Sequence, residues 1–278
     1  MTTAVLIVIG VFVGILGAVL GLGGGIIIVP VLVIGLDVPI HEAIAASLVV
    51  ITANSLSTSS VYIKNGLANM NLGAVLAIAS VIGAIIGSHV AIALPQGAVM
   101  LILGVMQLLI AYLTYVRTKS PLPYIPLQKG DDDFFSGSYK EASTGETIVY
   151  KPVRIYPNAL FSLFSGVFSG FTGAGGGILI IPGMNIISRM PIKAATATST
   201  YIIGFTAAAG SLVYISSGLV NPVTVGAMIV GIFFGTAFAV RFLSRITDKK
   251  VSYLFIILLL AVSVQMIYRG ISSFAVGG

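Results

Sequence analysis

The chain has no cysteine and no tryptophan, only two histidines, and charged residues make up 8% of its 278 positions. Without cysteine there is no disulfide framework, no thiolate metal site and no thiol chemistry. His41 and His89 lie far apart in sequence, so the chain spells out no metal-ligand cluster. No G-x-x-x-x-G-K-[ST] loop occurs, which argues against ATP-driven work by this chain alone. The apolar stretches carry no grouped His, Asp, Glu or Cys, which argues against an enzyme, and no cofactor or metal is implied. Soluble domains carry about 25% charged residues, so a water-facing surface cannot be built from this composition.

What is present is apolar. Hydrophobic residues make up 57% of the chain, and mean hydropathy is +1.10. Runs of roughly 20 residues, enough to cross a bilayer as helix, recur along the length. The first half predicts spans at Val5–Leu20, His41–Ile63, Leu72–Leu94 and Val99–Val116, with a run at Ile26–Leu36 too short to cross alone. Net charge is +6, but most basic residues sit between apolar segments, where orientation signals belong. They point to a lipid bilayer rather than to a nucleic acid. Met1-Thr2-Thr3 forms no basic n-region, so the first run is expected to be a retained span and not a signal peptide.

Gly21 to Pro30 reads G-L-G-G-G-I-I-I-V-P, and Gly173 to Pro182 reads G-A-G-G-G-I-L-I-I-P. The two strips lie 152 residues apart (173 minus 21). At that offset Gly14 matches Gly166, Pro39 matches Pro191, Ala43 matches Ala195, and Ser47 matches Ser199. Tyr62 matches Tyr214, Gly66-Leu67 matches Gly218-Leu219, Asn69 matches Asn221, and Gly83 matches Gly235. The expected organisation is a membrane repeat over 1–117, a polar linker over 118–155 and a second membrane repeat over 156–278. Within the linker, Gly137 to Glu141 and Glu146 to Arg154 read as two strands around a turn at 142–145. The triplet Asp131 to Asp133 reads as solvated loop, since no ligand-spaced acceptors follow it.

Five apolar segments per half is an odd number, which would set the second copy upside down. Loop charges test this, because cytoplasmic loops are rich in Lys and Arg. The loop around 37–42 has no Lys or Arg, while its partner has Arg189 and Lys193. The loop around 64–71 has Lys64 and its partner has no basic residue; the loop around 94–98 is uncharged and its partner holds Arg241, Arg245, Lys249 and Lys250. Each pair flips as inversion requires. The fold class expected is an all-α integral membrane protein of two inverted repeats, about five helical segments each, with short broken or re-entrant helices after the glycine strips. It would be a multi-pass protein of the cell membrane, with the linker cytoplasmic and both termini outside.

Inverted repeats characterise secondary transporters, whose sites lie near the midplane at the repeat interface. The paired G-x-G-G-G-I-x-I-x-P strips, each preceded by a glycine-bearing helix and followed by P-I-x-x-A-x-A-x-S, resemble the TauE/SafE family of sulfite exporters. That resemblance covers about 11–94 and 163–247. It implies export of small sulfur-containing anions such as sulfite and sulfonates, and it does not name one substrate.

A small oxyanion presents acceptor oxygens and charge. Backbone N–H groups at a helix N-terminus can meet both. Gly23, Gly24 and Gly25, with Gly175, Gly176 and Gly177, open the two short segments and are candidates for an anion cradle; tight turning and close packing is the other reading of the same glycines. Hydroxyl and amide candidates are Ser47, Asn54, Ser199 and Thr206, with Gln107 on the same ground but no polar counterpart at Leu259. His41 aligns with Lys193 and His89 with Arg241, which suggests either interfacial anchoring or an anion funnel with a coupling role. Export of an anion needs no coupling ion, since each negative charge leaving a negative interior gains about 2.3 kcal/mol per 100 mV. A small-carboxylate carrier and a passive anion channel stand as alternatives.

Overall fold

In lipid the backbone must satisfy its own polar groups, and helices do so locally. The computed structural model describes residues 2–20, 24–119, 133–140, 145–242 and 248–276. The first half comprises α1 (Thr2–Leu20), α2 (Gly25–Pro30) continuing into a π-helical turn (Val31–Gly35), α3 (Ile40–Lys64), α4 (Met70–Ala93) and α5 (Gln96–Lys119). The second comprises α6 (Ile155–Thr172), α7 (Gly177–Ile186), α8 (Ile192–Ser216), α9 (Pro222–Phe242) and α10 (Asp248–Val276). Among the described residues, three helices, α3, α4 and α8, are long and apolar enough to cross a membrane, and shorter apolar stretches accompany them. Large apolar side chains such as Val8, Ile78, Phe164, Leu212, Phe234 and Val264 point outward. Such surface suits lipid and not water. The protein is mostly helical and membrane-embedded.

Helix ends follow local chemistry, and that chemistry recurs at the 152-residue offset. Pro39 and Pro191, with φ/ψ of −52°/139° and −56°/139°, precede α3 and α8. Both helices end on a left-handed glycine, Gly66 (φ +67°) and Gly218 (φ +71°). There Leu67 N–H reaches back to the Tyr62 carbonyl (3.0 Å) and Leu219 N–H to Tyr214 (3.1 Å). This is a Schellman closure, which needs a residue without a Cβ at that turn. Asn69 Oδ1 caps α4 through Leu72 N–H (3.0 Å), as Asn221 Oδ1 caps α9 through Val223 N–H (3.0 Å). The closing prolines of the strips act differently: after Pro30 the chain widens into the π turn, whereas α7 carries Pro182 inside it and runs on to Ile186.

Packing obeys the same exchange. Helix α1 packs on α9 and α6 on α4, while α3 packs on α8 and α5 on α10. Glycines make the two crossed pairs close. A Cβ on Gly166 would run into the Ser80 carbonyl and one on Gly83 into the Leu163 carbonyl. At the matching contact, Gly10 and Gly14 meet the Met228 and Ile232 carbonyls, and Gly235 meets Val11. Lipid tails are as apolar as leucine, so close approach at small residues, rather than escape from water, holds such helices together.

Strands β1 (Gly137–Lys140) and β2 (Thr147–Tyr150) pair antiparallel, Gly137 opposite Tyr150. Asp131, Asp132 and the turn residues 142–144 lie outside the described residues. The hairpin docks on the start of α4, where Asn69 Nδ2 donates to the Phe135 carbonyl (2.7 Å) and Asn71 Nδ2 to Phe134 (2.6 Å). Burial pushes the Tyr150 hydroxyl up to about 12, against the opposing pull of its hydrogen bond to Asn69.

Candidate functional site

The two strips begin the two short helices at left-handed glycines. Gly24 (φ +79°) precedes α2 and Gly176 (φ +73°) precedes α7, and neither start carries a side-chain cap. An L residue with a Cβ would be strained at either angle. Gly175 (φ +76°) lies in the same turn, and Gly23 lies outside the described residues. Gly25 and Gly177 are buried. The first N–H groups of a helix have no partner within it and carry its positive end. The strips also touch: a Cβ on Gly25 would sit 2.8 Å from the Gly173 carbonyl oxygen.

Ser47, on α3, joins them. It is fully buried, and its hydroxyl lies 2.7 Å from the Gly173 carbonyl and 3.2 Å from the Gly25 carbonyl. One hydroxyl proton is therefore shared between one oxygen of each strip. Ser199, its repeat counterpart, is equally buried but donates to Thr196 in its own helix (2.8 Å). Asn54 and Thr206, which also match at the 152-residue offset, bond away from the strips. Asn54 Oδ1 accepts from Thr236 on α9 (3.0 Å), and Thr206 donates to Ser80 on α4 (2.9 Å). The strips and Ser47 thus come together, while Asn54, Ser199 and Thr206 tie α3 and α8 to themselves or to neighbours.

The basic candidates whose side chains are described are half-buried (His41) or exposed (His89, Lys193). His41 Nε2 lies 3.0 Å from the Ala91 carbonyl, near the end of α4 that also carries the exposed His89. His89 Nδ1 lies 2.8 Å from the Ile85 carbonyl of its own helix. Lys193 is exposed at the start of α8. Arg241 falls within α9, but its side chain lies outside the described residues.

Two features escaped the sequence reading. On α6, Asn158, Ser162, Ser165, Ser169 and Thr172 recur at spacings of four and three and are all buried. They face α7: Ser165 donates to the Gly176 carbonyl (2.8 Å), and Asn158 Oδ1 would lie 3.1 Å from a Cβ on Gly183. Asn158 Oδ1 and the hydroxyls of Ser162 and Ser169 have no hydrogen-bond partner. The matching α1 positions are Leu6, Gly10, Val13, Gly17 and Leu20, so only the second half carries this polar face. Its helical spacing, absent from the other copy, was the available signal. The second feature is Arg269 on α10, which donates to the Val33 carbonyl (2.9 Å) and pairs with Asp37 (2.8 Å), placing positive charge at the end of the π turn. It matches Arg117 at the same offset.

Beside the strips lies a narrow cleft of about 10 Å³, about the room one water needs. Ile26 and Val29 of α2, Gln107 of α5, Thr172 at the end of α6 and Ala174 of the second strip line it. It therefore draws on both halves of the chain.

A buried, uncapped pair of broken helices at the contact between two repeats is an arrangement suited to a membrane carrier. The chain matches the family model described as "Sulfite exporter TauE/SafE" over residues 6–266. It is 29% identical over 280 residues to the "Probable membrane transporter protein YunE" of Bacillus subtilis (strain 168), covering 98% of this chain and 100% of that one. A "Probable membrane transporter protein" of Xylella fastidiosa (strain 9a5c) is 25% identical over 267 residues, with 94% of each chain covered. A further relative, from Methanocaldococcus jannaschii, is 26% identical over 220 residues, 76% of this chain and 72% of its own. No solved structure matches the chain. With the family match running from α1 into α10, this chain belongs to the sulfite exporter TauE/SafE family of membrane transporters.

Proposed function

We propose that the protein is a secondary transporter that exports small sulfur-containing anions, sulfite or sulfonates, by alternating access. The carrying observation is the pair of buried helix starts, one in each half, without a side-chain cap on either, whose glycine strips touch where Gly25 lies against the Gly173 carbonyl. Their N–H groups, around Gly23 to Gly25 and Gly175 to Gly177, would receive the oxyanion. Ser47, which joins the strips through one shared proton, is the contact that yields as the halves rock. Ser199, Asn54 and Thr206 then hold α3 and α8 rigid against their neighbours. His41, Lys193, His89 and Arg241 serve at the mouths, as an anion funnel or in coupling.

The reading takes the halves as inverted in the membrane, with the linker cytoplasmic and both termini outside. Two observations support it: the loop charges alternate between matched loops, and the helix contacts exchange under the repeat. Membrane potential alone would then drive export, at about 2.3 kcal/mol per charge per 100 mV.

The test is flux of labelled sulfite, a simple sulfonate and acetate in proteoliposomes, with membrane potential and pH gradient set separately. Saturable sulfur-anion flux that follows the potential is expected. Flux of acetate alone makes the protein a carboxylate carrier, and non-saturating flux makes it a channel; either result overturns the reading.

A further inference from the structure

The turn before α8 meets the start of α6. Val153 N–H donates to the Ser188 carbonyl (3.1 Å), and Asn158 Nδ2 donates to the Ser188 hydroxyl (2.9 Å). One residue beyond each end of the first bond stands an exposed arginine, Arg154 at the N-cap of α6 and Arg189 before α8. Lys193, also exposed, follows in the first turn of α8. Positive charge is unfavourable at a helix N-terminus, and neither α6 nor α8 has an acid in its first turn. The fold does not call for this charge. At the 152-residue offset Thr2 stands for Arg154, Asp37 for Arg189 and His41 for Lys193, and α3 carries Glu42 in its first turn. Asp37 and Arg189 share one left-handed backbone conformation, φ +52° in both, so the turn sets the angle and leaves the side chain open. Positive charge gathered over two helix starts suits an anion. From this corner an apolar stripe runs along α6: Tyr156 (89% exposed), Leu160 and Phe164, four residues apart, all point outward. A tyrosine ring with its polar tip favours the membrane–water boundary. The matching Val8 and Phe12 of α1 also point outward, so both halves have the stripe and only this one has the basic head.

We propose that this corner binds an anionic phospholipid. Arg154 and Arg189 take the headgroup phosphate, whose oxygens suit the paired N–H groups of a guanidinium, and an acyl chain lies along Tyr156, Leu160 and Phe164. A free anion would use only the charges; the stripe leading away from them fits a lipid. The bound lipid would hold the start of α6 to the turn before α8, whatever the protein transports.

The probes are dioctanoyl phosphatidylglycerol and dioctanoyl phosphatidylcholine, titrated into purified full-length protein in a mild detergent, with bound lipid measured by native mass spectrometry. The wild type should bind phosphatidylglycerol about thirtyfold more tightly, ~2 kcal/mol, as expected of two arginines at an anionic surface. The double variant Arg154→Gln/Arg189→Gln should bring the two affinities to within about twofold by weakening phosphatidylglycerol alone. Its unchanged phosphatidylcholine binding reports that it folds. Lys64→Gln/Lys140→Gln, which removes two exposed charges elsewhere, should keep the preference. A wild type without preference, a preference that survives in the arginine variant, or an equal loss in the lysine variant overturns the inference. So does displacement of the lipid by millimolar inorganic phosphate, which would make the corner a site for free anions. None of these readouts involves flux, so the transport reading stands or falls separately.

Discussion

Replacing Ser47 by alanine removes one oxygen from the place where the two glycine strips meet. The hydroxyl lies 2.7 Å from the Gly173 carbonyl and 3.2 Å from that of Gly25, with no exposure. One donor is lost, worth about 1 kcal/mol net, and a buried carbonyl loses its partner, so Ser47→Ala should cost about 1–3 kcal/mol. The control is built into the chain. Ser199 occupies the matching position and is equally buried, but its hydroxyl shares the Thr196 carbonyl with Thr200 Oγ1 (3.0 Å). Back-bonding of this kind adds little to a helix, so Ser199→Ala should cost less than about 0.5 kcal/mol. Equilibrium unfolding in mixed micelles of a mild detergent and dodecyl sulfate measures both variants. Costs equal to within about 0.5 kcal/mol would refute the claim that Ser47 alone bridges the strips. A destabilised Ser47→Ala that keeps wild-type flux would leave the bridge structural and remove it from the transport cycle.

Gly166→Ala places a methyl against the Ser80 carbonyl and should cost about 1–3 kcal/mol, whereas Gly226→Ala, with open space around it, should be neutral or gain up to ~1 kcal/mol; the same unfolding assay compares them. Asn69→Ala removes the α4 cap and the hairpin's anchor at Phe135, so it should cost about 1–2 kcal/mol and make residues 133–150 cleave faster under limited proteolysis. Tyr150 is neutral in the docked hairpin and its hydroxyl is raised from 10.0 to about 12, so its contribution is whole below pH 10 and lost as pH rises toward 12. Tyrosinate absorbance of the wild type against Tyr150→Phe should show one group titrating in that window, and its titration near 10 would refute the burial.

The legible parts of this protein are those whose causes lie within a few residues of each other. The helix-ending glycines Gly66 and Gly218, the capping residues Asn69 and Asn221, and the prolines before α3 and α8 do the same local work in both halves, and their spacing alone revealed the repeat. The glycine strips were legible for the same reason, since consecutive glycines break a helix wherever they occur. The α6 polar face is written as a spacing of fours and threes, but it has no match in α1, so the repeat does not point to it. Arg269 carries no local signal of its role, since its partner carbonyl at Val33 lies 236 positions earlier.

Composition and register, then, sufficed for the membrane setting, the helix boundaries and the family. They could not separate residues that the repeat makes equivalent. Ser47 and Ser199 sit at the same place in the same motif, yet one bridges the strips and the other bonds to its own helix. Gln107 and Leu259 likewise share a position and are both buried, yet Leu259 is apolar and Gln107 carries an amide oxygen without a hydrogen-bond partner. The physical reason is range. Helix formation depends on neighbours three or four residues away, whereas the acceptor that gives Ser47 its role lies 126 residues along the chain and reaches it only when the halves pack together.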